Sequence, residues 1–113
     1  MASPNTTFKR DQKHAVIDHA TSGNNTIVAA VAGKKILVTG YTLVAAGAVT
    51  VRFESGADGT ALTGQMSFAA NGGAVNAYNP GGVFAPTATN TLLNLELSGA
   101  VSVDGHLTYV EID

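Results

Sequence analysis

Apolar and polar residues alternate with a period of two along much of the chain. Val49, Val51 and Phe53 point one way while Thr50, Arg52 and Glu54 point the other. Leu93, Leu95 and Leu97 alternate with Asn94, Glu96 and Ser98, and Val101 and Val103 with Ser102 and Asp104. This is the signature of strands with one buried and one polar face. Further strands are expected at 14–20, 26–31, 35–44, 61–70, 74–78 and 106–112. Between them lie Ser22-Gly23-Asn24, Ala32-Gly33, Ala46-Gly47, Gly56-Ala57-Asp58-Gly59, Asn71-Gly72-Gly73, Asn79-Pro80-Gly81-Gly82 and Asp104-Gly105. Gly, Asn and Asp tolerate the positive φ of tight turns, so each cluster reads as a turn.

Helix is disfavoured by punctuation. The 13 glycines and three prolines leave only 5–22 and 87–98 as uninterrupted stretches longer than ten residues, and an average helix needs about 11. The 18 alanines would favour helix, but they sit beside Gly, Val and Thr. The 29 Val, Ile and Thr residues favour a pleated surface instead. Eight or nine strands at spacings near ten residues imply a β-sandwich, a jelly roll or a small closed barrel. The 79–91 segment lacks a strand pattern and reads as a crossover between sheets. Two parts are expected: an N-terminal arm, residues 1–13, and a β-sandwich domain, residues 14–113.

Composition then narrows the chemistry. Apolar residues make up 45% of the 113 residues, too many for a disordered chain. There is no cysteine, which removes thiol catalysis, thiolate metal sites and disulfides. Six basic and eight acidic residues give a net charge of −2, so no basic field for nucleic acid exists. The N-terminus has no apolar segment of signal-peptide length, and no run approaches the roughly 18 residues of a membrane span. Synthesis in the cytosol and no membrane partner are the expectation. Charged residues are only 12% of the chain, about half the usual share of roughly 25%. A β surface of Thr, Ser, Asn, Ala and Gly suits packing against neighbours.

No catalytic, cofactor or metal constellation emerges. His14 and Asp18 share one strand face, as a metal site or a base with its orienter would require, but a metal needs three or four ligands. Glu54 and Glu96 fall on polar strand faces and read as solvated. Asp58 and Asp104 fall in Gly turns, where Asp caps its own backbone. The Gly-rich stretch 56–60 precedes a strand, whereas a phosphate loop needs a helix. Tyr41, Tyr78 and Tyr109 could be stacking platforms, or could straddle the core boundary with the hydroxyl outward. The one distinctive cluster is in the arm: Phe8, Lys9, Arg10, Asp11 and Lys13. Four of the fourteen charges lie in these five positions, with a local balance of +2 against −4 for the rest. An aromatic anchor beside cations can fill a partner's pocket and pair with acids around it. Phe8, Lys9, Arg10 and Lys13 are therefore the candidate partner-binding residues.

The runs NNTIVAAVAGKKILVTGYTLVAAGAVTVRFESG (24–56), SFAANGGAV (67–75) and GHLTYVEI (105–112) resemble a family of small β proteins encoded by tailed bacteriophages and prophages. Some members are similar to capsid decoration (cement) proteins with jelly-roll-like folds. The resemblance covers roughly residues 14–112 and leaves the arm uncovered. It implies an antiparallel, jelly-roll-like β-sandwich of about eight strands, to which the residue pattern adds an extended N-terminal arm. It also implies a structural virion protein rather than an enzyme, with no cofactor. The implied partners are the major capsid protein and further copies of itself, a homotrimer first and a dimer second, on the capsid surface. The other reading is a receptor- or carbohydrate-binding module of a tail or fibre. A site of that kind would display aromatics on loops, where Phe84 is the only aromatic expected. The shared motifs are turn and core residues, so the resemblance transfers no functional residue.

Overall fold

The computed structural model describes residues 11–113. Nine strands form among the described residues: β1 (Lys13–His19), β2 (Gly23–Val28), β3 (Lys35–Ala45), β4 (Val49–Ser55), β5 (Thr60–Ala61), β6 (Met66–Phe68), β7 (Gly73–Asn76), β8 (Leu93–Leu97) and β9 (Val103–Ile112). They assemble into two antiparallel sheets. The first has the order β1-β9-β3-β7 and the second the order β2-β8-β4-β5, with β6 also pairing β4. β5 and β6 lie along β4 as one interrupted strand, joined across the gap by the bond from Leu62 N–H to Phe53 O. So counted, the chain alternates between sheets except at the β4–β5/β6 hairpin, which stays in the second. That order is the jelly roll, in which two Greek keys close a double sheet.

The core lies between the sheets. Val49, Val51, Phe53, Leu93, Leu95 and Leu97 all face it and are buried, as the alternation requires. Ile17, Leu43, Val103 and Leu107 meet them from the first sheet. Phe53 stacks on Phe84 with ring centroids 5.1 Å apart, and Tyr41 tilts against Phe53 at 5.2 Å. The 79–91 segment does link the sheets, running from β7 to β8 along the free side of β3. Its amides at Asn79, Val83 and Thr87 bond to the carbonyls of Thr39, Val38 and Ile36. Phe84, expected as a loop aromatic, is thereby turned into the core.

Three local expectations are corrected. Asp104-Gly105 is not a turn, since β9 passes straight through it and pairs with β1 on one side and β3 on the other. Gly105 has φ 152°, and a Cβ there would overlap the Thr42 carbonyl. The glycine serves close backbone approach within a central strand. The single strand expected at 61–70 is broken at 62–65. Glu54, expected in solvent, is fully buried. A bulge at Thr39 in β3 also shifts the alternation, so that Val38 and Tyr41 both reach the core.

Candidate functional site

The outer face of the first sheet is set by strand register. Val16 of β1 lies opposite His106 of β9, which lies opposite Thr42 of β3, which lies opposite Val75 of β7. The next row holds Asp18, Asp104, Val44 and Gly73. On the other side come His14, Thr108 and Gly40. Because alternate residues share a face, these side chains all point away from the core. Val16 is 76% exposed, Val75 75%, Tyr78 59% and Val44 48%. These are the exposed large apolar side chains among the described residues, and they gather on this one face. Between them, Gly40, Thr42, Val75, Tyr78, His106 and Thr108 line a shallow groove of about 250 Å³.

One end of the face is pinned. Gln12 accepts a bond from the Thr39 hydroxyl at 3.0 Å and donates to the Tyr78 hydroxyl at 3.3 Å. The Thr39 and Thr108 hydroxyls bond to each other at 2.8 Å. Gly82 then presses on Leu37, where a Cβ would collide with its side chain. The Gly82 φ of 95° is one that side chains rarely adopt, so glycine suits the loop that carries the Val83 N–H to the Val38 carbonyl along β3. Among the described residues, Val16, Asp18, Val44, Val75 and Asp104 of this face are exposed. At its far end Asp18 of β1 sits directly opposite Asp104 of β9, a like-charge pairing that costs stability unless a cation or donor relieves it. Ser102 donates to Asp104 at 3.0 Å.

The second sheet's outer face is built differently. Glu54 is 0% exposed and accepts from Arg52 Nε at 2.6 Å and from Asn94 Nδ2 at 2.8 Å. Asn94 also donates to Asn24 Oδ1 at 2.9 Å and accepts from the Asn25 amide. Asn24 in turn donates to Asp58, which adopts φ 54° in the β4–β5 turn. The hydrogen bond from Arg52 to Glu54 holds the guanidinium's pKa above its ordinary value. Among the described residues no buried side-chain nitrogen or oxygen lacks a partner. This network fixes the β4–β5 turn to β2 and β8.

Of the sequence-derived candidates, Phe8, Lys9 and Arg10 lie outside the described residues. Lys13, placed in the arm by the sequence pattern, opens β1 opposite Tyr109. His14 and Asp18 do share a face, as expected, and both are exposed. Among the described residues no three His, Asp or Glu side chains cluster as metal ligands would. Among the described residues no helix is long and apolar enough to cross a membrane. Tyr41 is buried with its hydroxyl toward Met66 Sδ, whereas Tyr78 is displayed. The residues that sequence reasoning missed are Val16, Val44 and Val75. Comparison with known proteins returns no match: no family description, no curated protein and no solved structure aligns with the chain.

Proposed function

We propose that this chain is a structural virion protein, a capsid decoration (cement) protein that binds the outside of a phage head and stabilises it. It acts by association rather than catalysis. The observation that carries the reading is the collection of Val16, Val44, Val75 and Tyr78 on the outer face of one sheet. Scattered exposed apolar residues are ordinary, but a shared patch with a polar rim is what interfaces are made of. The low charge of the chain points the same way. A jelly roll is also an architecture that capsid proteins use, which supports the reading by analogy alone.

In this reading the major capsid protein covers the open face. Phe8, Lys9 and Arg10 of the arm add an aromatic anchor and cations that pair with acidic groups around it. Self-association accompanies attachment, as a homotrimer or a dimer. No nucleic acid, membrane or cofactor takes part. The protein is made in the host cytoplasm and ends on the capsid surface. The receptor- or carbohydrate-binding reading draws on Tyr78 at the rim of the groove, but one displayed aromatic makes a poor sugar platform.

The test is co-sedimentation with particles that lack the protein. Wild type should sediment with them. Val44→Asp and Val75→Asp should fold normally and stay in the supernatant. Deletion of residues 2–12 should weaken sedimentation at fixed salt. Unchanged sedimentation of both Asp variants would remove the face from the account, and unchanged sedimentation of the deletion would reduce the arm to a tail.

A further inference from the structure

The edges of the two sheets are unequal. β5, β6 and β7 have two, three and four residues. β2 is interrupted by a register shift between Thr26 and Val28, a device that blunts an edge. β1 is different. It has seven residues without proline or bulge, its whole length is paired to β9, and among the described residues it ends the first sheet. A long regular edge presents a row of backbone donors and acceptors to another strand.

The side chains on this edge are self-complementary. In an antiparallel pair of β1 strands with a two-fold axis at Val16, Val16 meets Val16 of the second copy. Ala15 then meets Ile17, and Lys13 meets His19. His14 meets Asp18, and by symmetry this pair occurs twice. The sequence Lys-His-Ala-Val-Ile-Asp-His thus reads against itself with apolar on apolar in the middle and imidazole on carboxylate to either side. Moving the register by one residue sets exposed His14, Val16 and Asp18 against core-facing positions, which the pleat forbids. Moving it by two brings His14 against Val16 and leaves the carboxylate without its partner.

A second observation at the same place favours this occupant. Asp18 already lies opposite Asp104 of the neighbouring strand β9, and like charges directly opposite are unfavourable. A His14 imidazole from another copy would stand on the open side of Asp18 and relieve that opposition. We propose that two copies of this chain associate through β1, edge to edge, with Val16 on the two-fold axis and His14 of each copy against Asp18 of the other. The two four-stranded sheets then become one sheet of eight strands, and the two exposed faces with their valines become one continuous platform. The pairing does not rest on the decoration reading. With seven residues from each copy the interface is small, so the dimer is weak and concentration-dependent.

The chain has no cysteine, so every disulfide in an engineered variant reports only on the introduced thiol. Directly opposite residues in an antiparallel pair have Cα atoms about 4.5 or 5.5 Å apart, both within disulfide range. Val16→Cys should therefore oxidise to a covalent dimer as the main species on a non-reducing gel. His14→Cys is the register control: its two copies lie four residues apart along the strand, roughly 13 Å, and should not bridge. His14→Glu and Asp18→Lys should each lower the dimer fraction measured by light scattering. An equimolar mixture of the two should recover it, because the mixed dimer sets the new carboxylate against the new ammonium and restores His14 against Asp18. A monomeric Val16→Cys would overturn the proposal. So would equal cross-linking of His14→Cys, or a mixture no more dimeric than its components. Cross-linking of Val16→Cys only after deletion of residues 2–10 would show that the chain's own arm, not a second copy, occupies this edge.

Discussion

Replacing Arg52 with leucine should be more damaging than its position on an outer face suggests. Arg52 is 31% exposed, yet its Nε donates at 2.6 Å to a Glu54 carboxylate that is 0% exposed. Leucine keeps most of the aliphatic volume and removes only the donor. Glu54 would then keep one bond, from Asn94, and bury an uncompensated charge. Removing one partner of a buried pair costs about 3–5 kcal/mol, and the partial exposure of Arg52 sets the expectation at the lower end, about 3 kcal/mol. A chain of this length has an unfolding entropy near 0.24 kcal/mol/K, so the melting temperature should fall by roughly 12 °C. The double variant Arg52→Leu/Glu54→Leu should recover most of that loss, because replacing both partners by apolar groups is often close to neutral. Thermal melts and urea titrations of the two variants measure this directly. A loss below about 1 kcal/mol for Arg52→Leu would refute the reasoning. So would a double variant as unstable as the single one, because the damage would then not come from the stranded carboxylate.

Other outcomes follow from the same geometry. Gly105→Ala should destabilise by at least roughly 1–3 kcal/mol in urea titration, since φ 152° and the Thr42 carbonyl both oppose a Cβ. Val16→Asp, on a side chain already in solvent, should leave the unfolding free energy within the roughly ±0.5 kcal/mol typical of surface changes, while lowering the dimer fraction. The exposed Lys34–Asp113 pair should show a small pH signature. Its hydrogen bond lowers the Asp113 pKa and raises that of Lys34. The contribution is therefore present at neutral pH, is lost in acid as pH falls through the depressed Asp113 value, and is lost in alkali as pH rises through the raised Lys34 value. The melting temperatures of Asp113→Asn and wild type should accordingly converge at both extremes.

Much of the fold was legible because its signals are local. The alternation in Val49–Phe53 and Leu93–Leu97 identifies two paired strands of the second sheet and their buried sides. The errors have physical causes. Asp104-Gly105 has the chemistry of a tight turn, but the same freedom of glycine can serve close packing in mid-strand, and only the pairing of β9 with β3 decides. Glu54 was placed on the correct face. Its burial comes from Arg52, Asn94 and the Asn24–Asp58 contact, partners up to 40 residues away. The outer-face valines were hidden for a different reason. Val16 lies within Ala15-Val16-Ile17 and Val44 within Leu43-Val44-Ala45, runs apolar on both faces, so the alternation does not say which member is exposed. In β7 the small Ala74 is the residue that packs inward, and Val75 is left outside.

The proposed role is that of a many-copy component of a phage particle's surface, and copy number separates it from its alternatives. Purified virions from a phage or induced prophage carrying this gene would be quantified by mass spectrometry against the major capsid protein. Decoration calls for hundreds of copies per virion. A few to a few dozen copies would place the protein in the tail or fibre, and no copies in purified virions would contradict the structural role altogether.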